Sequence, residues 1–90
     1  MFWFACYKGD MRRIRWCLAR GIDINQADYD NRTALGIAAS EGRENVVEYL
    51  LLHGAATDLA DRYGNKPIDD AKRGKHRKVV KRLRTCAAVR

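Results

Sequence analysis

The side chains best suited to catalysis or metal binding in this sequence are three cysteines and two histidines. Cys6, Cys17 and Cys86 lie far apart, and with His53 and His76 they do not give the ligand spacing of a tetrahedral metal site. The sequence also has no Ser-His-Asp or Cys-His arrangement that would activate a nucleophile. An odd number of widely spaced cysteines argues against a disulfide framework and for a reducing compartment. We therefore predict an intracellular chain (cytoplasmic, mitochondrial or nuclear) with no catalytic residue, metal or cofactor.

A run of cations near residue 80 could bind an acidic ligand. The 90 residues carry a formal net charge of +7. Residues 1–70 hold 9 Lys and Arg against 11 Asp and Glu (9 − 11 = −2), whereas residues 71–90 hold 9 Lys and Arg and no acid (+9). The basic patch consists of Lys72, Arg73, Lys75, Arg77, Lys78, Lys81, Arg82 and Arg84. Two interpretations stay open: a solvated capping face, or weak binding of a polyanion, an acidic partner or a nuclear-import receptor.

The elements that must position these side chains repeat every 33 residues. Shifted by 33, the chain matches itself: Ala5 with Ala38 and Ala71, Cys17 with Leu50 and Leu83, Gly9 with Gly42, and Asp28 with Asp61. A unit of this length cannot bury its apolar face alone, but units stacked side by side form one core. The pattern predicts buried, structural roles for the cysteines in the first unit.

The central unit has the pattern of two helices joined by a tight turn. Small residues favour a first helix over Thr33–Ser40, which Gly42 should end. Apolar residues at helical spacing predict a second helix that begins at Glu44 or the next residue and is closed by Gly54. The following connector, residues 55–65, ends in a Gly-Asn turn.

This unit resembles the ankyrin repeat. The residues that carry the resemblance are Asp28-Tyr-Asp-Asn-Arg-Thr33-Ala-Leu, Ala38-Ala39, Glu41-Gly42, Val46-Val47 and His53-Gly54-Ala55. The resemblance covers residues 2 to about 84 and implies an all-α ankyrin-repeat solenoid of about three helix-turn-helix units with short connecting turns and hairpin loops. It divides a single domain, 1–90, into a partial repeat 1–27, a full repeat 28–60 and a C-terminal capping repeat 61–90. The usual histidine of the first helix is replaced by Gly36, which is expected to weaken the stack locally.

A narrower resemblance links the chain to the ankyrin segment of animal-type glutaminases. It rests on Phe4-Ala5, Gly9-Asp10, Asp28-Tyr29-Asp30, Arg32-Thr33-Ala34-Leu35, Asp61-Arg62 and Pro67. It implies an accessory module, because the serine nucleophile and lysine of those enzymes lie in another domain. Similar turns occur in ankyrin segments of some plant-type kinases, so a kinase or other signalling protein is the alternative parent.

The resemblance also implies which residues hold a partner, because the family grips partners with turn tips and exposed first-helix faces. By repeat position these residues are Tyr7, Lys8, Tyr29, Asp30, Arg32, Ser40, Glu41, Arg62, Tyr63, Asn65 and Arg73. Tyrosine and arginine are the types enriched at interface hot spots. The alternative is structural: Asp28 and Asp61 cap their own turns, and the neighbouring arginines pair with them.

We predict a protein-interaction module, scaffolding or regulatory, that is a non-catalytic part of a larger protein. Its partner would be another protein or a sister domain, and a parent enzyme could make it part of a homo-oligomer. The bulky side chains of Phe2, Trp3 and Phe4 either cap the stack or dock on a preceding domain. No apolar run reaches the roughly 20 residues of a membrane span, so no membrane partner is expected.

Overall fold

Six short helices account for most of residues 2–89, which are the residues described by the computed structural model. In chain order they are α1 (Phe2–Lys8), α2 (Met11–Ala19), α3 (Ala34–Glu41), α4 (Glu44–Leu52), α5 (Pro67–Arg73) and α6 (Arg77–Val89). They pair as α1–α2, α3–α4 and α5–α6, each pair joined by a tight turn. No strand occurs among the described residues. None of these helices is long and apolar enough to cross a bilayer.

Helix boundaries follow from capping chemistry. The Thr33 hydroxyl accepts a hydrogen bond from the Gly36 amide at 3.2 Å, so α3 begins one residue later than predicted. Gly42 ends α3 in the left-handed conformation, with a φ of +69°. That conformation is costly for residues with a Cβ, which explains a glycine here. Pro67 opens α5 at the position where its missing N–H is not needed.

The core lies where the helix pairs stack. Helices α1, α3 and α5 pack side by side, and each also packs on the second helix of its own pair. The repeated positions predicted for the core are buried, including both cysteines of the first unit. The largest fully buried side chains are Ile14, Leu35, Leu50, Leu83, Val46, Val47, Val79, Pro67, Cys6 and Cys17. Repetition of small and apolar residues therefore produces one shared core, as a stacked repeat requires.

A repeated polar brace joins each unit to the next. The Arg43 Nε donates to the Tyr7 carbonyl at 3.1 Å. Thirty-three residues further on, His76 Nε2 lies 3.0 Å from the Ser40 carbonyl. Since a carbonyl oxygen can only accept, the proton of this contact is on Nε2. The same pair of positions thus braces both junctions with different side chains.

Candidate partner-binding site

Two identical turns build the exposed hairpins. The Asp28 carboxylate Oδ1 accepts from the amides of Asp30 and Arg32, at 3.0 and 2.9 Å. The Asp61 carboxylate Oδ1 does the same for Tyr63 and for Asn65, both at 2.9 Å. Each aspartate therefore holds its turn rigid through its own backbone, which confirms the structural interpretation of these two residues.

Aromatic side chains project from both turns. Tyr29 is fully exposed and Tyr63 is 73% exposed. The Arg62 guanidinium lies 5.9 Å from the centre of the Tyr63 ring. Exposed tyrosines on a rigid backbone offer a large contact area at a small entropic cost of ordering. We call Tyr29, Asp30, Arg62 and Tyr63 the hairpin-tip surface.

The two tips are joined to each other. The Arg62 amide donates to the Asp30 carbonyl at 2.8 Å, and the Arg62 side chain donates to the Asp30 carboxylate at 3.1 Å. The expectation from the sequence that Arg62 pairs with Asp61 is therefore wrong. Arg62 contacts Asp30, an aspartate of the neighbouring hairpin. The backbone hydrogen bond places the two hairpins side by side and brings the Asp30 and Arg62 side chains within reach of each other. Arg32 is half-buried, and its backbone amide donates to the Asp28 carboxylate.

Three other predicted contact residues occupy the same repeat position on three helices that pack side by side. Tyr7, Ser40 and Arg73 lie 33 residues apart on α1, α3 and α5. Tyr7 is exposed, whereas Ser40 is half-buried and its carbonyl accepts the His76 brace. Arg73 donates to the buried Asp70 carboxylate. Ser40 thus takes part in joining the second and third units, and the Arg73 side chain is paired within its own helix.

The remaining predicted contact residues differ in their surroundings. Lys8 lies over the Phe4 ring, with its ammonium 5.9 Å from the ring centre. Glu41 is exposed at the end of α3, and Asn65 is half-buried at the end of its hairpin. The structure therefore brings four of the predicted residues together at the hairpin tips and distributes the others over the stack. Their role in binding stays a prediction.

The basic patch divides into paired and exposed cations. Arg82 is half-buried and forms an ion pair with Glu48 of α4 at 3.3 Å, and Arg73 pairs with Asp70. The other six members are exposed: Lys72, Lys75, Arg77, Lys78, Lys81 and Arg84. Arg82 therefore links α6 to α4, whereas Arg73 is paired within its own helix α5. The exposed six give α5, α6 and the turn between them a positive surface.

Sequence reasoning missed one exposed aromatic residue and left another undecided. Trp16 on α2 is 55% exposed beneath the Arg20 guanidinium, 4.8 Å from the ring centre. Its alignment with Tyr49 at the 33-residue offset was the available signal. Phe4 is exposed and stacks on Tyr7, whereas Phe2 is buried in the core. The Trp3 indole donates to the Gln26 carbonyl at 3.0 Å.

Burial shifts the pKa values of two side chains, Cys6 and Asp70. Burial, with the nearby Cys17, raises the pKa of the Cys6 thiol to about 12. Burial also raises the pKa of the Asp70 carboxyl, against the opposing effect of Arg73. Within residues 2–89, no three His, Cys, Asp or Glu side chains cluster in a way that could hold a metal ion. The local chemistry is that of a packed core with polar bracing.

Comparison with known proteins gives one family and several relatives. The family model described as ankyrin repeats (many copies) matches residues 2–51. A liver-isoform mitochondrial glutaminase of Rattus norvegicus is 43% identical over 81 residues, which are 89% of this chain and 14% of that protein. Serine/threonine-protein kinase 12 of Arabidopsis thaliana is 43% identical over 80 residues, 89% of this chain and 17% of the kinase. The potassium channel GORK of Arabidopsis thaliana is 40% identical over 76 residues, 84% of this chain and 9% of the channel. The chain thus spans less than one fifth of each of these relatives.

Proposed function

Because the chain belongs to the ankyrin repeat family, we propose that it is a non-catalytic interaction module that holds a protein partner or sister domain on its hairpin-tip surface. Ankyrin repeats generally mediate protein–protein interactions. The observation that carries the proposal is the pair of linked hairpins, which present Tyr29 and Tyr63 from a backbone fixed by aspartate turns. A rigid aromatic surface loses little freedom on binding, so contact area is converted efficiently into affinity.

The charged pair between the tips supports the same proposal. Asp30 and Arg62 are about half-exposed, so their ion pair contributes little to stability. Beside the two tyrosines, however, they offer a donor and an acceptor whose positions are already set. An exposed, preorganised charge pair favours specificity for a complementary partner more than it favours folding.

We further propose that the chain is an accessory part of a larger protein. The proposal rests on its match to short segments of proteins as different as a glutaminase, a kinase and a channel. A glutaminase-like parent is favoured, because several glutaminases occur among the relatives. A reading frame with an amidohydrolase domain upstream of residue 1 supports this parent, and one that encodes a kinase domain instead contradicts it. An intracellular location is proposed from the buried, unpaired thiols of Cys6 and Cys17.

The partner surface is tested by binding. The 90-residue chain is immobilised, the protein that it retains from extracts of its own cells is identified by mass spectrometry, and the purified pair is measured by titration. Tyr29→Ala combined with Tyr63→Ala should weaken the complex at least about 30-fold, since a hot-spot residue contributes about 2 kcal/mol or more. The matched control is Leu52→Ala, which removes an apolar side chain that is 74% exposed on α4. Unchanged affinity in the tyrosine variant, or an equal loss in the Leu52 variant, contradicts the proposal.

A further inference from the structure

A groove lined by cations lies between the C-terminal end of α5 and the exposed side of α6. Its volume is about 700 Å³. Its charged lining consists of Lys72, Lys75, Arg77, Lys81 and Arg84. Val80, which is half-buried, contributes an apolar surface between them. We call these six residues the cationic groove; no residue of the hairpin-tip surface belongs to it.

No acidic residue lines the cationic groove. Three of the four acids on α4 and α5, the helices packed against α6, interact elsewhere. Asp69 accepts from the Lys66 amide, Asp70 pairs with Arg73, and Glu48 pairs with Arg82. Residues 71–90 contain no Asp or Glu at all. Five cations around one concavity therefore create a positive potential that an anionic ligand would neutralise.

Lys75 occupies a backbone position that favours glycine. The equivalent positions of the first two units, 33 and 66 residues earlier, are Gly42 and Gly9. All three are left-handed, with φ values of +76° at Gly9, +69° at Gly42 and +59° at Lys75. A residue with a Cβ costs about 1 kcal/mol or more in this conformation. The third unit thus accepts a less stable turn and places a fifth cation in the groove, which is the pattern expected when binding conflicts with stability.

We propose that the cationic groove binds an acidic, amphipathic segment of a partner protein. The acidic side chains of that segment would pair with the five cations. Its apolar side chains would contact Val80 and the aliphatic stems of the lysines, which form an apolar surface beneath their charged ends. A protein segment fits better than single-stranded RNA, because no aromatic side chain lines the groove to stack on bases. This second surface is independent of the hairpin-tip proposal.

The groove is tested with a defined probe, a fluorescein-labelled peptide of about 14 residues that has Leu on one face of a helix and Glu elsewhere. Fluorescence anisotropy should show binding that weakens as salt is raised. Lys81→Gln combined with Arg84→Gln should lower the affinity about 5- to 10-fold, as expected for loss of two exposed ion pairs. The matched control, Arg12→Gln with Arg15→Gln, removes two exposed cations of α2 and should leave the affinity within about twofold.

Lys75→Gly separates a binding role from a structural one. This substitution should raise the midpoint of urea unfolding, because glycine adopts the left-handed backbone without strain. It should nevertheless lower the affinity for the peptide about 2- to 5-fold, because one cation of the groove is lost. No detectable peptide binding overturns the proposal, as does an equal loss in the α2 control. Tighter binding of an oligouridine of the same length also overturns it, in favour of nucleic acid. Equal binding of a peptide with Ser in place of Leu overturns the amphipathic requirement. Any of these outcomes leaves the test of the tyrosine variants unaffected.

Discussion

Gly42→Ala should disrupt the junction between the second and third units. Gly42 ends α3 in the left-handed conformation, and its α-carbon faces the His76 ring. A Cβ built there would lie 2.5 Å from His76 Nδ1, far inside van der Waals contact. The imidazole must therefore move, and its hydrogen bond to the Ser40 carbonyl, now 3.0 Å, would be lost or lengthened.

The expected cost has two parts. An alanine in the left-handed conformation costs about 1–2 kcal/mol. Loss of the His76 brace adds about 1 kcal/mol, the typical net value of one hydrogen bond. The free energy of unfolding should thus fall by about 2–3 kcal/mol. Gly54→Ala is the matched control: Gly54 is also left-handed, at +87°, but its added Cβ meets no atom within 4 Å. This control should therefore cost only the backbone part.

Urea unfolding followed by circular dichroism measures the difference. With slopes of about 1–3 kcal/mol/M for a domain of this size, the two midpoints should be separated by about 0.3–1 M. The slope itself should stay the same, since neither variant changes how much surface unfolding exposes. Equal losses in the two variants would refute the proposed role of His76, and a stabilising Gly42→Ala would refute the turn geometry as well.

Three further predictions concern buried positions. Gly36→Ala should raise the free energy of unfolding by about 0.5–1 kcal/mol, because the residue is helical and a Cβ would lie 3.6 Å from its nearest neighbours; a loss in thermal or urea unfolding would contradict this. The pKa of Asp70 is raised, so the folded state binds the proton more tightly, and the stability that this group contributes is complete at low pH and is lost as pH rises through the folded pKa. Carboxyl-carbon NMR should therefore give an Asp70 midpoint above 3.8, and a midpoint at or below that value would contradict burial as its main influence. Cys6 and Cys17 are buried, and burial raises the pKa of Cys6 to about 12, so a thiol reagent near pH 8 should modify the half-buried Cys86 well before either of them; equal rates measured by mass spectrometry would contradict the burial of these two thiols.

Much of the fold was predictable because the repeat reports burial directly. The all-α stack of ankyrin repeats is confirmed, since small and apolar residues at a 33-residue spacing do form one shared core. Gly42 was a reliable helix end for a local reason, its freedom to adopt positive φ. The turn-capping roles of Asp28 and Asp61 were equally predictable, because an aspartate that caps its own turn acts within four residues of sequence.

The contacts between units were not predictable in the same way. Arg62 had several acids available, and only the backbone hydrogen bond between hairpins selects Asp30. From the sequence, Arg82 is expected to be a solvated cation, yet the stacking of the units places it in an ion pair with Glu48. The His76 brace depends on the position of a carbonyl 36 residues away. Such pairings require the distance between stacked units, which composition and period do not contain.

Photo-crosslinking of the partner from single positions tests binding at the hairpin-tip surface most directly. A photo-reactive amino acid replaces Tyr29 or Tyr63 at the hairpin tips or, in the control chain, the exposed Leu52 of α4. After irradiation in cell extract, the partner protein attached at each position is identified and quantified by mass spectrometry. Binding at the hairpin-tip surface predicts the same partner from both tyrosine positions and little or none from Leu52. A partner crosslinked mainly from Leu52, with none from the tips, would contradict it.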